Sequence, residues 1–267
     1  MKNVSKKDNN DEAIKRRIKD HWDDDSKRYQ ETHEISADVV HLGPNCPTEE
    51  DMHILGDVRG KSIIEMGCGG GQCSIALVKR GATCTGVDFS GRQLDYARTL
   101  AKKSLEAGQL KRIQFIQSDL EHMDAVPDNA YDIGFSAFCF DWIQDFKKLF
   151  AGIRCKLKAD GFLVFSIGHP FSKCLDDQWD GQLPPKLKYA YFKREEWEND
   201  LQGRAIRYRL PTLGDLVGYL ADAGFQVDKL LEPEPVDDKA WNFCKDYPPE
   251  VGRYVPTTLI IKATIKK

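Results

Sequence analysis

One acid and three glycines at alternate positions are the residues of this chain whose types point most directly to chemistry. They are Glu65, Gly67, Gly69 and Gly71, and they close an apolar run and open a helical pattern. Glycine has no Cβ, so it can adopt a positive φ angle and let a ligand approach the backbone. The helix that follows adds unpaired N–H groups and a positive dipole end. This turn therefore predicts a site for a nucleotide-like ligand.

The glycine spacing separates two kinds of nucleotide site. The dinucleotide fingerprint G-x-G-x-x-G has its third glycine at the sixth position. Gln72 occupies that position here, and the third glycine, Gly71, comes one residue earlier. A nicotinamide-dependent dehydrogenase is therefore disfavoured, although it remains a rival hypothesis.

Further polar residues stand where later predicted strands end. Asp88 follows the strand 83–87, and an acid in that place can accept hydrogen bonds from two ribose hydroxyls. Ser118-Asp119-Leu120 follows the strand 113–117, and Ser136 lies at the end of the next apolar run. Because ligands of open α/β sheets bind at the carboxyl ends of strands, these residues are expected to share one site.

The pattern E-x-G-x-G-x-G, with these strand-end residues in the same order, resembles the class I S-adenosylmethionine (SAM) methyltransferases. The similarity is to the small-molecule type, such as the methyltransferases of ubiquinone and menaquinone biosynthesis, and it covers residues 60–170 best. It implies SAM as cofactor and S-adenosylhomocysteine as product. Asp88 would then bind the ribose, Asp119 the adenine amino group, and Leu120 and Phe89 the adenine ring. The expected cofactor site comprises Tyr29, Glu65, Gly67, Cys68, Gly69, Gly71, Asp88, Phe89, Asp119, Leu120 and Ser136.

His169 is the candidate catalytic residue. It follows the fifth predicted strand, and its ordinary pKa near neutrality suits proton removal. The alternative is a histidine that only shapes the loop. Cys139 is interpreted as a packing residue, and no pattern demands a metal. The tetrapeptide Asn/Asp-Pro-Pro-aromatic is found in enzymes that methylate exocyclic amines of DNA bases or glutamine amides. It is missing after the fourth predicted strand, which disfavours those targets.

The order of predicted elements indicates an α/β fold. Strands and helices alternate from residue 62 to residue 167, which is typical of a doubly wound parallel sheet. The predicted strands are 62–66, 83–87, 113–117, 132–136, 161–167, 226–231 and 257–264, and the predicted helices include 72–80, 91–106 and 142–156. The resemblance implies a Rossmann-like sheet of seven strands whose last strand is antiparallel.

Two segments are predicted to lie outside this regular core. Residues 1–34 are expected to form a disordered start and, from Asp11, a cap helix, with the methyltransferase domain at 35–267. Trp22, Tyr29 and His33 of this helix could close over the cofactor, whereas the acids 23–25 are interpreted as a solvated face. Residues 168–210, which are rich in aromatic residues, are expected to be an insertion that covers the substrate.

Composition limits the partners. The chain has 39 basic and 42 acidic residues and a net charge of −3, so no general attraction to nucleic acid or membrane phosphates is expected. The N-terminus lacks an apolar signal region, and no apolar stretch reaches membrane-spanning length. Eight cysteines without a C-x-x-C pair indicate reduced thiols and a cytoplasmic location. No pattern indicates an oligomeric state.

The sequence hypothesis is therefore transfer of a methyl group from SAM to the O, N, S or C atom of a small molecule, by in-line displacement. A tRNA or protein methyltransferase is the first alternative, but it would need a basic face. A SAM-binding protein without catalysis is the second.

Overall fold

The fold is built around a twisted sheet of seven strands. A computed structural model describes residues 6–33, 35–44, 46–175, 184–192, 197–201, 204–208, 211–236 and 249–266. The strands are β1 Ser62–Met66, β2 Thr83–Asp88, β3 Ile113–Gln117, β4 Tyr131–Ala137, β5 Leu157–Gly168, β6 Trp197–Leu201, β7 Arg204–Tyr208, β8 Phe225–Leu231 and β9 Thr258–Ile265. The large sheet has the order β3-β2-β1-β4-β5-β9-β8, and β6 and β7 form a separate two-stranded sheet.

The pairing within the large sheet confirms the predicted fold class. β1 pairs in parallel with β2 and β4, and β3 and β5 continue the parallel ladder on either side. β9 runs antiparallel to both β5 and β8. The strand order reverses between β1 and β4, and such a switch point opens a crevice at the carboxyl ends of the strands.

Helices cover both faces of the sheet, and local capping explains most of their bounds. They are α1 Lys6–His33, α2 Glu49–Met52, α3 Gln72–Lys79, α4 Gly91–Ser104, α5 Ala107–Leu110, α6 Phe146–Lys156, α7 Leu213–Asp222 and α8 Pro249–Gly252. The helix predicted to start at residue 142 begins instead at Phe146. The reason is that Asp145 accepts hydrogen bonds from the N–H groups of Lys147 and Lys148, and a 3₁₀ turn over 140–142 precedes it.

The N-terminal helix is longer than its apolar pattern predicts. α1 starts at Lys6 rather than at Asp11, so residues 6–10 are helical and not a disordered leader. Ile14 and Ile18 are its buried aliphatic residues among those described, and they pack with Trp22, Phe89 and Trp142. The division of the chain at residue 34 stays a prediction.

The predicted insertion after β5 contains the β6–β7 hairpin. The backbone of β7 lies against α1. Residues 176–183, 193–196, 202, 203, 209 and 210 of the insertion lie outside the described residues, and its function as a substrate cover stays a prediction.

The alternation of side chains along the strands divides the core into two layers. In β1, Ile63 faces the cluster that includes Ile75 of α3, whereas Ile64 faces the cluster that includes Phe150 of α6. Both layers are closely packed around fully buried aliphatic and aromatic residues, so the strand ends are held in fixed register. None of the described helices is both long enough and apolar enough to cross a bilayer.

Candidate cofactor and active site

A cavity of about 810 Å³ lies at the carboxyl ends of β1 to β4, between those ends and α1. Its walls include the glycine turn, the ends of β2, β3 and β4, residues of the 41–44 segment, and one face of α1. Of the cofactor residues predicted from the sequence, it brings together Tyr29, Glu65, Gly67, Cys68, Gly69, Asp88, Phe89, Asp119 and Leu120.

The glycine turn has a backbone that other residues rarely adopt. Gly67, Gly69 and Gly71 have φ angles of 70°, 50° and 77°. A Cβ on Gly67 would lie 2.0 Å from the Sγ atom of Cys139, so the turn fits against β4 only with glycine. Gly71 lies behind the turn, where a Cβ would come within 2.9 Å of the Phe115 ring, and it is outside the cavity lining. Gly71 therefore permits packing rather than ligand contact.

Asp88 connects the end of β2 to the glycine turn. Its Oδ2 atom accepts a hydrogen bond from the Gly69 N–H at 2.9 Å, and its Oδ1 atom accepts one from the Ser90 N–H at 2.9 Å. Burial raises the pKa of this carboxyl group to about 6, against the lowering effect of the N–H donors. The Phe89 N–H also donates to this carboxyl group, so about one of its four lone pairs remains to accept from a hydroxyl group of a ligand.

Glu65 stabilises the start of α3. The hydroxyl and the backbone N–H of Ser74 both donate to its carboxylate. The side chain is almost fully buried, and burial raises the pKa of Glu65 to about 7, with the nearby charge of Asp88 adding to the increase. Glu65 thus connects the end of β1 to the first turn of α3 through Ser74.

The end of β3 carries Asp119, Leu120 and Glu121. Asp119 accepts from the Glu121 N–H at 2.9 Å and from the Lys15 ammonium of α1 at 3.0 Å. Glu121 accepts from the N–H groups of Gln144 and Asp145 and pairs with Lys15 at 2.7 Å. Leu120 is buried beside them. This loop therefore presents one carboxylate and one apolar side chain to the cavity.

Ser136 and His169 are not in the cavity lining. The Ser136 hydroxyl is fully buried and donates to the Met66 carbonyl at 2.9 Å, which connects β4 to β1. The Nδ1 atom of His169 accepts from the Phe171 N–H at 3.1 Å, so its Nε2 atom carries the proton and donates to Glu232 at 2.9 Å. Burial lowers the pKa of His169, although Glu232 opposes this. Both ring nitrogens of this candidate base are thus occupied by the protein.

The contacts that α1 makes with the loops of the cavity could not be predicted from the sequence. Gln30 donates to the Gln93 side chain at 2.9 Å and accepts from the Gln72 side chain at 2.5 Å. No local pattern could reveal the Gln30–Gln93 amide pair, whose members lie 63 residues apart.

The spacing of Ser90 and Gln93 predicts a reciprocal capping box at the start of α4. Only half of it forms: Ser90 Oγ accepts from the Gln93 N–H.

The acids at 23–25 also differ from the solvated face that the sequence predicts. The Asp23 carboxylate accepts from the Ser90 hydroxyl at 2.6 Å. Asp25 is buried and forms two hydrogen bonds with Arg28, at 2.6 and 2.8 Å. A run of three acids predicts a solvated face because like charges usually face water, whereas the helix turns Asp23 and Asp25 toward partners.

A wall of aromatic rings extends from the end of β4 along α1. Trp142 lies 5.4 Å from Trp22, Trp22 lies 5.2 Å from Tyr29, and Tyr29 stacks on His33 at 4.1 Å, measured between ring centroids. His21 and His41 also line the cavity, and burial lowers the pKa of His41 to about 4. This side of the cavity is suited to a flat or partly apolar molecule.

Three observations limit the reactions that the cysteine and the charged side chains of the cavity could support. Burial raises the pKa of Cys139 well above its ordinary value, which agrees with a packing residue rather than a nucleophile. Lys173 faces Asp141 at 3.5 Å, and Asp141 accepts from the Gly168 N–H. Within the described ranges, no group of three or more His, Cys, Asp or Glu side chains could hold a metal ion.

Comparison with known proteins agrees with this geometry. Residues 64–165 match the family described as methyltransferase domain. An uncharacterized protein of Haemophilus influenzae is 25% identical over 86% of this chain and 91% of its own length. The ubiquinone biosynthesis O-methyltransferase of Actinobacillus pleuropneumoniae is 30% identical over 107 residues, 40% of this chain and 45% of that enzyme. The chain thus aligns with less than half of the length of this curated relative.

A solved structure shares the fold over most of the chain. The S-adenosylmethionine-dependent methyltransferase from Mesorhizobium loti has a TM-score of 0.66 and 22% identity, over 80% of this chain and 94% of its own. At this identity the likeness concerns the fold. The match of residues 64–165 agrees with the methyltransferase resemblance of the sequence, and the shared fold agrees with the predicted Rossmann-like sheet.

Proposed function

We propose that this chain, whose residues 64–165 match the methyltransferase domain family, is a class I SAM-dependent methyltransferase that transfers the methyl group to an oxygen atom of a small molecule. The choice of oxygen is supported by two kinds of relative named as O-methyltransferases, one of ubiquinone biosynthesis and one acting on malonyl-[acyl-carrier protein]. Because the chain aligns with only 45% and 39% of those two enzymes, their substrates are not transferred to it.

We propose the following positions for the cofactor. Asp88 binds a ribose hydroxyl, and Phe89, Asp119 and Leu120 surround the adenine. The backbone of the glycine turn lies along the methionine part, and Tyr29 covers it from α1. Gly71 and Ser136 do not contact the cofactor in this proposal. Gly71 permits the packing of α3, and Ser136 holds β4 to β1.

The reaction needs mainly positioning. A lone pair of the acceptor oxygen attacks the methyl carbon, the carbon–sulfur bond breaks, and its electron pair returns to sulfur to give neutral S-adenosylhomocysteine. SAM supplies the activated methyl group, so the protein contributes alignment and exclusion of water. If the acceptor is a hydroxyl group, its proton must also be removed.

His33 is the proton acceptor that we propose in place of His169. Its Nδ1 atom lies 2.8 Å from the Tyr29 carbonyl, which can only accept, so Nδ1 carries the proton and Nε2 holds the basic lone pair. His33 lines the cavity at the end of the aromatic wall, whereas His169 does not. His41 also lines it, but a pKa of about 4 makes it a weak base. His169 then serves to shape the loop after β5.

The charges around the cavity support a small acceptor. Lys15 is paired with Asp119 and Glu121, Arg28 with Asp25, and Lys173 lies near Asp141. These cations are compensated within the protein, so they form no basic surface for a tRNA phosphate backbone.

The contact between Gly69 and Asp88 is the observation that carries this proposal, because it joins the ribose acid to the glycine turn at one cavity. Calorimetry with S-adenosylhomocysteine and with NAD tests the cofactor, and binding of NAD alone would reject the proposal. Incubation with methyl-labelled SAM and separate panels of phenols, alcohols, carboxylates and amines tests the acceptor. Label found only on nitrogen would reject the oxygen assignment, and binding without any transfer would favour a SAM-binding protein.

A further inference from the structure

We propose that α1 is the gate through which the cofactor enters and leaves, and that three side-chain clamps hold this gate shut. Each clamp connects α1 to a different loop of the proposed SAM site, so the inference rests on the proposed function. The clamping residues are Lys15, Asp23 and Gln30, and none of them is needed for the chemistry of methyl transfer.

The first clamp closes the adenine end. The Lys15 ammonium reaches Glu121 at 2.7 Å and Asp119 at 3.0 Å, and both carboxylates belong to the loop after β3. Burial alone would lower the pKa of Lys15, but the hydrogen bonds and charges of Glu121 and Asp119 raise it, so the ammonium stays charged. An ion pair that joins a helix to the adenine loop must break before the adenine can leave on this side.

The second clamp closes the ribose end. The Ser90 hydroxyl donates to Asp23 Oδ1 at 2.6 Å, and the Ser90 N–H donates to Asp88. One serine thus connects α1 to the acid that would bind the ribose. Lys19, one turn earlier on α1, pairs with the other oxygen of Asp23 at 2.5 Å and holds its side chain in place.

The third clamp closes the methionine end. The Gln30 amide lies over the glycine turn, where a Cβ on Gly70 would come within 2.6 Å of it. It joins Gln72 at the start of α3 to Gln93 in α4, and all three glutamines are buried. Buried amides that satisfy one another are costly to leave unpaired, so this clamp opens as a unit.

The positions of the clamps explain why the gate opens as one piece. Lys15, Asp23 and Gln30 are separated by eight and seven residues, which is about two helical turns each, so they lie along one side of α1. Between them α1 presents few buried aliphatic side chains among its described residues, namely Ile14 and Ile18. An element attached by polar contacts, two buried isoleucines and half-buried rings such as Trp22 is of the kind that opens locally while the core stays folded.

The release rate of S-adenosylhomocysteine tests the gate without an acceptor. Trp22 of α1 and Trp142 after β4 lie 5.4 Å apart, so tryptophan fluorescence in a stopped-flow experiment reports separation of α1 from the sheet. We expect Lys15→Met, Asp23→Ala and Gln30→Leu each to speed release by roughly 3- to 10-fold, the factor that corresponds to loss of one or two hydrogen bonds. The triple variant should release it faster than any single variant.

Two further variants separate a clamp from general loss of stability. Gly70→Ala adds one methyl group that meets Gln30 from the opposite side, so it should speed release as Gln30→Leu does. Asp23→Asn keeps an oxygen that can accept from Ser90, so it should restore most of the slow release. The matched control is Lys27→Met, which removes an exposed i,i+4 pair with Glu31 on the same helix and should leave release unchanged.

Each outcome of the release measurements either supports or contradicts the gate. Faster release in the clamp variants, with an unchanged melting temperature of the unliganded core and a normal Lys27→Met control, supports the gate. Unaltered release in all three clamp variants would overturn it. If S-adenosylhomocysteine does not bind to the unaltered protein, the proposed function is wrong. If it binds but its release rate is unchanged in the clamp variants, only the gate is wrong.

Discussion

Gly69 donates its backbone N–H to Asp88 Oδ2 across 2.9 Å, so the tip of the glycine turn and the acid at the end of β2 form one unit. The positive φ of Gly69 aims this N–H at the carboxylate. The burial that brings the two together also raises the pKa of Asp88 to about 6. The burial of this contact therefore makes the proposed ribose site sensitive to pH near neutrality, although the Gly69 hydrogen bond itself lowers the pKa of Asp88.

Asp88→Asn should weaken the binding of S-adenosylhomocysteine about 10- to 100-fold at pH 8, because a charge-assisted hydrogen bond to the ribose is lost. In the unaltered protein, affinity should fall as the pH drops from 7 to 5, since the carboxylate becomes protonated around its pKa of about 6. Calorimetry at several pH values measures both effects. A pH dependence that persists in Asp88→Asn would show that another group is responsible.

Glu65→Gln should flatten the pH dependence of the unfolding free energy. The pKa of Glu65 is about 7 in the folded protein, above its value of 4.5 in the unfolded chain, so the folded state binds more protons between these values. Its contribution to stability is therefore present below pH 4.5 and is lost as the pH rises through 7. At pH 8 the unfolding free energy of the variant should equal or exceed that of the unaltered protein, and the gain should be no more than about 1–3 kcal/mol.

Urea unfolding at pH 5 and pH 8 measures this difference. Glu31→Gln, at an exposed position on α1, is the control and should change neither value. A Glu65→Gln protein that is clearly less stable at pH 8 would mean that the hydrogen bonds between the ionised carboxylate and Ser74 stabilise the fold by more than burial of the charge destabilises it.

His33 and His169 should respond differently to replacement. His33→Asn should lower turnover by roughly 10²- to 10⁴-fold with unchanged S-adenosylhomocysteine affinity, because the proton acceptor is lost. His169→Ala should keep most of the turnover and lower the unfolding free energy by about 1–2 kcal/mol, because its bonds with Phe171 and Glu232 disappear. Turnover measured with the acceptor found by the labelled-SAM panel decides between them, and the reverse pattern would restore His169 as the base.

Deletion of residues 1–34 should leave a folded sheet, since all seven strands of the large sheet lie beyond it. It removes Ile14 and Ile18, so Phe89 and Trp142 lose the aliphatic side chains that they pack against. Affinity for S-adenosylhomocysteine should fall by at least about tenfold, because the three clamps and Tyr29 are gone. Near-UV circular dichroism checks the fold and calorimetry the affinity; full affinity in the truncated protein would limit α1 to a role outside the cofactor site.

The local chemistry of the cofactor turn could be predicted from the sequence. Strand ends followed by acids and glycines are contiguous signals, because the backbone conformation at Gly67 depends on residues a few positions away. The same locality allowed the order of strands and helices to be predicted. The roles of individual residues within the predicted site were harder to predict. Gly71 belongs to the glycine turn and Ser136 lies near the end of β4, yet neither lines the cavity.

What the sequence by itself determined is therefore the glycine turn after β1, the acid at the end of β2 and the alternating α/β order, since each depends on short-range rules. Only the tertiary structure decided which histidines line the cavity, and that α1 contacts the end of β3, the end of β2 and the start of α3. Lys15 meets Asp119 across 104 residues, and Gln30 meets Gln72 across 42. Such contacts depend on how α1 rotates onto the sheet, which is set by the sum of packing and polar contacts along its length rather than by any residue type at a fixed spacing.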